Sequence, residues 1–404
     1  MPPLIIVGAG QAAAQLVASL AQDGYSGPVT LLGDEPHLPY QRPPLSKKYL
    51  AGELALDRLY VKPAAFYEKA GVDLRLGTRV ERIDRPGKAV ILADGTALPY
   101  STLVLATGSR PRRLALPGSE LDGVFYLRTV ADVDAIRGRF ADARSLVVVG
   151  GGYIGLELAA VATKHGLQVT VLEQVPRLMA RGVGPVVSAF YESLHRSEGV
   201  RLVTGAKVLG FEGKDRVTAV VAEDGVHPAD LAVVGVGALP NVELAAAAGL
   251  KVENGIVVDA ECRTDDPAIY AIGDCTKQVH ALTGQPLRLE SVHNALEQGR
   301  VAAAAICGRP PPTLQVPWFW SDQYDVKLQM VGLSQGHDQA VVRGDPGSGR
   351  SFAVFYLREG QLIAVDAVNR APEFMLSKQL IADRARPDPA KLADERVAVK
   401  DLRS

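Results

Sequence analysis

The chain has 404 residues, a length that predicts two or three domains and permits a large core and a cleft between domains. Lys and Arg number 44 and Asp and Glu 45, and the resulting formal charge of −1 argues against a protein that coats nucleic acid. Hydrophobic residues make up 47% and charged residues 22%, which excludes a disordered chain and is typical of a folded globular protein.

The first apolar stretch, from Leu4 to Leu20, has no charged side chain, and none stands before Asp23. A signal peptide or membrane anchor is nevertheless disfavoured, because no Lys or Arg precedes the stretch and no Ala-x-Ala-like cleavage site follows it. Three scattered cysteines are too few for a disulfide framework or a metal knuckle. We therefore expect a soluble protein of the reducing cytoplasm with no membrane contact.

A pattern of strand, glycine-rich turn, helix and strand occurs twice. The first copy begins with the strand Leu4–Val7 and reaches Asp34; the second begins at Leu146 and ends at Glu173. Each helix is predicted to be about twelve residues long, and the copies start about 140 residues apart. Apolar strands without polar alternation are typical of a parallel sheet that is covered on both faces.

Further apolar segments predict more strands. Val72–Leu76 and Ala89–Leu92 are predicted to flank the hairpin turn signal Asp94-Gly95, and Thr102–Thr107 is another buried strand. Five later segments are predicted strands: Val200–Val203, Val217–Val221, Leu231–Val236, Ile256–Val258 and Ile269–Ile272. A helix is predicted from about Ser291 to Ile306.

The run Gly308–Pro312 interrupts the chain and predicts a domain boundary. Beyond it, from Val316, the pattern becomes that of an α+β module of about 85 residues. Its predicted elements are the strands Val326–Met330, Phe352–Leu357 and Leu362–Val368 and the amphipathic helix Glu373–Arg386.

Both glycine-rich turns have the spacing of a dinucleotide-binding motif. The first has Gly8, Gly10 and Ala13; the second has Gly150, Gly152 and Gly155. The first glycine permits a sharp turn, the second lets backbone approach a pyrophosphate, and the third position needs a small side chain. The helix that follows offers free N–H groups and the positive end of its dipole. A single motif is weak, but two copies in context favour nucleotide binding over a purely structural role.

An acidic residue follows each second strand. Glu173 stands where a ribose 2′-hydroxyl would be held, and a carboxylate there would repel a 2′-phosphate and favour NADH over NADPH. Arg177 and Arg181 follow and could weaken that preference. Asp34 comes one residue later in register, so it is expected to use its backbone or a shifted position. A solvated strand end remains the alternative for either acid.

The fold class predicted from these patterns is α/β, with two doubly wound dinucleotide-binding (Rossmann-like) domains and a C-terminal α+β domain. Two dinucleotides in one chain indicate an electron relay between a mobile nicotinamide and a tightly held flavin.

Several segments resemble the two-dinucleotide-fold flavoproteins that include glutathione reductase. These are both turns, the segment Ala106–Ser109 and the segment Thr264–Asp274. Three others resemble the ferredoxin reductases of oxygenase systems, the branch of putidaredoxin reductase and biphenyl dioxygenase ferredoxin reductase. They are Arg42–Lys47, Glu290–Gln298 and Pro317–Tyr324. The resemblance covers nearly the whole chain.

This resemblance implies four domain segments. Residues 1–108 would begin the FAD-binding domain, 109–242 would form the NAD-binding domain, 243–315 would complete the FAD-binding domain, and 316–404 would form a C-terminal interface domain. FAD would lie along Gly8, Gly10, Ala12, Asp34, Arg42, Lys47, Val80, Ala106, Thr107, Arg128, Asp274 and Val292. Gly108, Ile154, Gly237 and Gly273 complete the expected cofactor-binding set.

The resemblance also singles out three side chains for catalysis or its tuning. Lys47 would place a cation near the reactive edge of the flavin, and Glu157 would face Lys47 and the nicotinamide. A surface lysine and a solvated helix residue are the respective alternatives. Trp320 is expected either beside the flavin or packed within its own module, with neither favoured.

Sulfur is missing where related enzymes have it. Disulfide reductases of this fold carry a Cys-x-x-x-x-Cys pair beside the flavin, and an oxidase branch carries one cysteine, whereas Pro43–Leu50 has none. Cys275 follows Asp274, but it has no partner in sequence and is best interpreted as a small buried residue. We therefore expect electrons to leave singly, to an external one-electron acceptor.

The remaining polar clusters are less informative. The seven histidines, His280 and His293 among them, suggest neither a metal site nor a triad. Arg110, Arg112 and Arg113 could dock an acidic ferredoxin, although a solvated loop is the favoured interpretation.

We predict an NADH-dependent FAD enzyme that takes hydride from NADH and passes electrons singly to a 2Fe-2S ferredoxin, for a haem-thiolate monooxygenase or a Rieske-type oxygenase. The alternatives are a rubredoxin reductase or NADH oxidase of the same fold, or an NADH-sensing binding protein. A monomer or weak homodimer is expected.

Overall fold

In a computed structural model, which describes residues 3–403, the chain divides into two compact units. Both are assembled from separate stretches of sequence. The first unit consists of residues 3–41, 56–110 and 238–315, and the second of residues 42–55, 111–237 and 316–403. No helix within residues 3–403 is both long enough and apolar enough to cross a membrane.

The first unit is built on a five-stranded parallel sheet. From edge to edge its strands are Ile269–Ala271, Thr102–Leu105, Leu4–Val7, Val29–Leu32 and Val72–Arg75. The helices Gln11–Gln22 and Val292–Ile306 pack against one another, and the Cβ that Gly299 lacks would lie 3.0 Å from the Ala12 carbonyl oxygen. This glycine therefore allows the two helices to approach closely.

Smaller elements complete the first unit. An antiparallel sheet contains Val80–Asp84, Ala89–Leu92 and Ala97–Pro99, and a second small sheet contains Ile256–Val257, Thr276–Val279 and Pro286–Leu287. The short helices are Leu56–Leu59, Ala64–Lys69 and Glu243–Ala247. Two short strands, Ser109–Pro111 and Ala238–Pro240, lie where the chain passes from one unit to the other.

The second unit contains a five-stranded parallel sheet in which four strands, from Leu231–Val234 to Arg201–Thr204, repeat the order of the first unit. The fifth strand, Val124–Tyr126, lies at the same edge as Ile269–Ala271 does in the first unit but precedes the other four in the chain. The strands of this sheet are Val124–Tyr126, Leu231–Val234, Ser145–Val149, Gln168–Glu173 and Arg201–Thr204. An antiparallel sheet of Val208–Gly213, Val217–Ala222 and Gly225–Pro228 accompanies it. The helices are Val130–Arg139, Tyr153–Lys164 and Pro185–Ser197, with the short helix Pro43–Ser46. The repeated strand order confirms the predicted pair of Rossmann-like folds.

The C-terminal part of the second unit is an antiparallel sheet with helices packed on it. Its strands, in spatial order, are Trp318–Gln323, Val326–Gly332, Gln361–Val368, Phe352–Arg358 and Gln339–Arg343. The helices are Ala371–Ala382 and Pro389–Ala393, followed by the short helix Val399–Asp401. The predicted α+β module is confirmed.

Two local predictions were wrong in detail. Val72–Arg75 belongs to the parallel sheet, and the turn at Asp94-Gly95 joins Ala89–Leu92 to a strand that follows it, Ala97–Pro99. The helix predicted over 373–386 runs over Ala371–Ala382 instead. It ends early because the chain adopts a left-handed conformation at Arg384, where φ is +52°.

A carboxyl group lies inside the C-terminal sheet. Asp366 is 3% exposed, and its Oδ2 accepts a hydrogen bond of 2.7 Å from Tyr356 Oη, which in turn accepts one of 3.2 Å from the Gly184 N–H. Burial raises the pKa of Asp366 to about 7, against the opposing effect of Tyr356, Gly184 and the nearby His337.

This buried acid makes the stability of the second unit depend on pH. The pKa of Asp366 is about 7 in the folded chain and near 3.8 when exposed, so between these values the folded state holds a proton that the unfolded state lacks. Stability must therefore fall as pH rises from about 4 to about 7. We predict that the Tm of Asp366→Asn minus the Tm of the parent increases by about 5 °C from pH 5 to pH 8, measured by thermal unfolding.

The same substitution at the exposed Asp215 is the control for removing a carboxylate in general. Only the change of the Tm difference with pH is diagnostic, because an asparagine also leaves amide N–H groups without acceptors at this buried position. An Asp366→Asn difference that is equal at the two pH values would contradict the prediction.

Candidate functional site

The first glycine-rich turn lies at the carboxyl end of the sheet in the first unit. Gly8 has φ of +105°, and a Cβ there would lie 2.3 Å from the Ala106 carbonyl oxygen, so no other residue fits. A Cβ on Gly10 would meet nothing within 4 Å. Gly10 caps the helix Gln11–Gln22 without any side-chain hydrogen bond, which leaves its first N–H groups open. Ala13 is fully buried against the sheet.

The predicted residues Ala12, Gly273 and Asp274 lie around this turn. A Cβ on Gly273 would be 3.2 Å from the Ala12 Cβ, so the two segments are in contact. Asp274 Oδ2 accepts a hydrogen bond of 2.9 Å from Ser109 Oγ. Gln298 Oε1 accepts one of 2.7 Å from the Gly273 N–H and thereby holds the loop that carries Asp274.

Thr107 and Gly108 are held by a residue that the sequence did not reveal. Thr107 Oγ1 donates to the Asn241 carbonyl oxygen at 2.7 Å, and Asn241 Nδ2 donates to the Thr107 carbonyl oxygen at 2.8 Å. The Asn241 N–H donates to the Gly108 carbonyl oxygen. Gln298 lies in the segment Glu290–Gln298 that resembles ferredoxin reductases, which is a sequence signal, whereas Asn241, 134 positions from Thr107, has none.

Asp34 is displaced in register, as predicted. Val7 pairs with Leu32 and Val149 pairs with Leu172, so the position equivalent to Glu173 is Gly33. The other two residues expected at the flavin in this unit begin secondary structure elements: Val80 the strand Val80–Asp84, and Val292 the helix Val292–Ile306.

The second turn repeats the geometry of the first within the other unit. Gly150 has φ of +110°, and a Cβ there would lie 2.5 Å from the Gly235 carbonyl oxygen. A Cβ on Gly155 would lie 2.3 Å from the Gly150 carbonyl oxygen, whereas one on Gly152 would meet nothing within 4 Å. The helix Tyr153–Lys164 has no side-chain cap. Its second residue, Ile154, is 47% exposed, unusual for a large apolar side chain.

Glu173 lies beside this turn. Its carboxylate accepts hydrogen bonds from the Gly151 N–H at 2.6 Å and from the Val175 N–H at 3.0 Å. The acid at the end of the strand therefore fixes the glycine-rich turn through charge-assisted hydrogen bonds.

The two arginines after Glu173 differ in their surroundings. Arg177 donates to the carbonyl oxygens of Val183 at 2.7 Å and Ala180 at 2.8 Å, so its guanidinium is engaged in fixing its own loop. The guanidinium of Arg181 lies beside Gly237, whose φ is +109°. Arg177 could therefore bind a 2′-phosphate only if it gave up those two hydrogen bonds.

Arg42 and Arg128, both expected at the flavin, meet in the second unit. Arg42 Nη1 donates to the Arg128 carbonyl oxygen at 2.7 Å. The Arg128 N–H donates to Asp132 Oδ2, part of the capping box that Thr129 and Asp132 form at the start of the helix Val130–Arg139.

Lys47 and Glu157 form an ion pair in the second unit. Lys47 Nζ lies 2.9 Å from Glu157 Oε2, which also accepts a hydrogen bond of 2.5 Å from Ser46 Oγ. Glu157 Oε1 accepts one of 2.7 Å from Ser321 Oγ. Glu157 is 4% exposed, so the alternative of a solvated helix residue is wrong. Trp320 is half-buried, its ring 5.4 Å from that of Trp318.

All three cysteines are free thiols. Cys262 and Cys275 are buried in the first unit, where burial raises the pKa of each thiol. Cys307 is partly exposed. A thiol with a raised pKa is a poor nucleophile, and none of the three is paired as a redox dithiol would be.

The arginine cluster that follows Thr107 is held by contacts within the chain. Arg110 is engaged with Glu243 at 2.6 Å and with Asn241 Oδ1 at 2.8 Å, and the Arg113 guanidinium lies over the Tyr126 ring. In the part of the chain that the structure describes, no three His, Cys, Asp or Glu side chains are grouped so as to hold a metal ion.

The residues at both turns fit dinucleotides. Each turn presents an uncapped helix end with open space beside its second glycine, which suits a pyrophosphate. Residues 2–299 match the family described as pyridine nucleotide-disulphide oxidoreductase, and residues 318–403 match the one described as reductase C-terminal. The chain belongs to the pyridine nucleotide-disulphide oxidoreductase family.

Within that family the chain is similar to ferredoxin reductases. It is 46% identical over 406 residues to putidaredoxin reductase of Pseudomonas putida, a match that covers 99% of this chain and 96% of that protein. The structure of the covalent putidaredoxin reductase–putidaredoxin complex matches with a TM-score of 0.96 and 46% identity, over 99% of this chain and 98% of that one. A ferredoxin reductase of Rhodopseudomonas palustris matches with a TM-score of 0.96 and 44% identity over the whole of both chains.

The expected class is confirmed: the protein is an oxidoreductase of the ferredoxin reductase type that uses FAD and NAD(H).

Proposed function

We propose that this protein transfers electrons from NADH, through FAD, to a 2Fe-2S ferredoxin that serves a haem-thiolate monooxygenase or a Rieske-type oxygenase. The observation that carries the proposal is the pair of uncapped glycine turns, one in each unit, in a chain whose cysteines are free and unpaired. Two dinucleotide sites provide an entry for hydride, and the missing dithiol leaves an external acceptor as the exit.

FAD is assigned to the first turn with Ala12, Ala106, Thr107 and Asp274 of the first unit. NADH is assigned to the second turn, with Glu173 on its ribose. These assignments correspond to the domain segments 1–108 and 243–315 for FAD and 109–242 for NAD, with 316–404 as the interface domain. A cytoplasmic monomer or weak homodimer completes the proposal.

When bound, FAD would accept hydride from NADH and release two electrons one at a time. The chain supplies positioning and charge: the open helix ends bind pyrophosphates, and Glu173 selects the ribose. The Lys47–Glu157 pair keeps a cation and a carboxylate together at a largely buried place. No group of the chain has to take up or deliver a proton for hydride to pass.

The proposal predicts a yellow protein whose flavin bands bleach when NADH is added anaerobically. Electrons should then reach added putidaredoxin, a 2Fe-2S acceptor, at least tenfold faster than they reach oxygen, because no cysteine is placed to support oxygen reduction. The measurement is stopped-flow absorbance with rubredoxin and oxygen as parallel acceptors.

Each alternative function has its own outcome in this experiment. Faster transfer to rubredoxin would indicate a rubredoxin reductase, and rapid oxygen consumption would indicate an NADH oxidase. Slow reduction followed by a long-lived charge-transfer complex would indicate the NADH-sensing binding protein. A colourless protein would contradict the proposal altogether.

The assignment of NADH to the second turn is tested by Gly152→Ala. Gly152 has φ of −82°, which alanine adopts without strain, and a Cβ there would point into the open space proposed for the pyrophosphate. We expect Tm to stay within about 2 °C of the parent while the Kd for NADH rises about tenfold or more.

Gly138→Ala is the matched control, because Gly138 is exposed on the helix Val130–Arg139 and a Cβ there would also meet nothing within 4 Å. It should leave the NADH Kd unchanged, measured by equilibrium titration. If Gly152→Ala binds NADH as tightly as Gly138→Ala does, the nucleotide does not bind at this turn.

Glu173→Ala tests the assignment of the ribose. The variant loses both the acceptor for the 2′-hydroxyl and the repulsion of a 2′-phosphate. The NADH KM should rise about tenfold with a much smaller loss of kcat, and the preference for NADH over NADPH should fall. Steady-state kinetics with both nucleotides measures this.

Glu173→Gln is the companion variant, because its amide oxygen can still accept the hydrogen bond of the Gly151 N–H that supports the turn. If it keeps the parent Tm yet still loses preference for NADH, the charge rather than the turn geometry is responsible. An unchanged NADH KM in both variants would show that the ribose lies elsewhere.

A further inference from the structure

A continuous chain of hydrogen bonds runs from Glu157 through the second unit. Glu157 Oε1 lies 2.7 Å from Ser321 Oγ, which lies 3.1 Å from Gln323 Nε2. Gln323 Oε1 lies 2.8 Å from His195 Nε2, and His195 Nδ1 lies 3.2 Å from Tyr324 Oη. We call Ser321, Gln323, His195 and Tyr324 the Glu157 relay.

The relay is shielded from water for most of its length. Ser321 and His195 are fully buried and Gln323 is 1% exposed, whereas Tyr324 is half-buried. Ser321 and Gln323 alternate along the strand Trp318–Gln323 and so lie on one face of the sheet. Since buried polar groups without partners cost free energy, this arrangement must satisfy each donor and acceptor.

The two titratable members of the relay are uncharged at neutral pH. Burial lowers the pKa of His195, so its imidazole is neutral and has one donor and one acceptor nitrogen. Burial raises the pKa of Tyr324 to about 12, so its hydroxyl keeps its proton. The neighbouring charges are Glu198, which acts on both residues, and Arg350, which acts on Tyr324.

With Glu157 ionised, each donor in the relay has only one possible acceptor within it. The Ser321 hydroxyl must donate to the carboxylate, so Ser321 Oγ accepts from the Gln323 amide N–H. Gln323 Oε1 then accepts from His195, which must carry its proton on Nε2. His195 Nδ1 is left to accept from the Tyr324 hydroxyl.

Protonation of Glu157 on Oε1 would allow the entire order to reverse. The carboxyl group would donate to Ser321, Ser321 would donate to the Gln323 oxygen, and the buried amide would have to turn over. His195 would then have to carry its proton on Nδ1 and donate to Tyr324. The reversed arrangement therefore requires a proton on Glu157 Oε1, whereas the first arrangement suits the carboxylate.

We propose that Ser321, Gln323 and His195 are positioning residues that hold Glu157 as a carboxylate beside Lys47. Lys47 and Ser46 donate to the other oxygen, and the Tyr191 hydroxyl is a further titratable group near the carboxylate. The inference rests on the proposed function only where it gives the Lys47–Glu157 pair a role in the reaction with NADH. The tautomer of His195 would report the charge of Glu157 from three hydrogen bonds away.

The test is ¹⁵N NMR of the holoenzyme labelled in its histidine rings, with His195 assigned by its loss in His195→Gln. We expect the Nε2–H tautomer at pH 7 in the parent. In Ser321→Ala and Gln323→Leu the link to Glu157 is broken, so the two tautomers should mix and shift the ring signals. Gln323→Leu keeps the test decisive if Ser321→Ala folds poorly.

Ser377→Ala is the control, because Ser377 is also fully buried in the second unit and its Oγ has no hydrogen-bond partner within residues 3–403. It should leave the His195 signals unchanged. An Nδ1–H tautomer in the parent, a doubly protonated ring at pH 7, or signals that do not respond to Ser321→Ala and Gln323→Leu would overturn the proposal.

A second readout links the relay to the reaction. One hydrogen bond to a charged group is removed in Ser321→Ala, so the acid limb of the pH profile for anaerobic flavin reduction by NADH should move up by about one pH unit. Ser377→Ala should keep the parent profile. A protein with the expected tautomers that NADH does not reduce would contradict the proposed function and leave the relay in place.

Discussion

The close approach of backbone to backbone at two glycines is the constraint on which both nucleotide sites depend. Gly8 and Gly150 have φ near +105° and +110°, and a Cβ on either would lie within 2.5 Å of a carbonyl oxygen on the neighbouring strand's continuation. Because the chain turns so tightly there, the following helix begins directly beyond the carboxyl end of the sheet. Its unpaired N–H groups then lie beside open space at Gly10 or Gly152 rather than against protein.

The parallel sheets were predictable from sequence because their strands are apolar throughout and the glycine turn marks where each begins and ends. Several strands were not predicted, among them Val124–Tyr126, Trp318–Gln323 and Gln339–Arg343. Gln339–Arg343 places Arg343 in the core, where its guanidinium lies 3.3 Å from Glu373 and also donates to three backbone carbonyl oxygens. The partners of Arg343 lie far away in sequence, so a local pattern of polarity does not indicate that this charged residue belongs to a buried strand.

The candidate site, like the fold, was predicted from sequence only in part. Spacing alone led to the prediction of the two turns and Glu173, and family resemblance was needed to select Lys47 and Glu157. Asn241, Gln298 and the members of the Glu157 relay were not predicted, because their partners are far away in sequence. Ser321 is separated from Glu157 by 164 positions and Gln323 from His195 by 128, and no local pattern records such pairs. Their roles follow from donors and acceptors that only the folded chain brings together.

Two buried carboxyl groups of the second unit differ in the donors that surround them. Asp366 has one side-chain donor, the Tyr356 hydroxyl, and burial prevails: its pKa rises to about 7. Glu157 is almost equally buried, yet it receives a lysine cation and two hydroxyl groups, and one hydroxyl is itself oriented by Gln323 and His195. A carboxylate with this many donors replaces the hydration it loses. The number of donors around each carboxyl group, rather than its depth, therefore distinguishes the surroundings of Glu157 from those of Asp366.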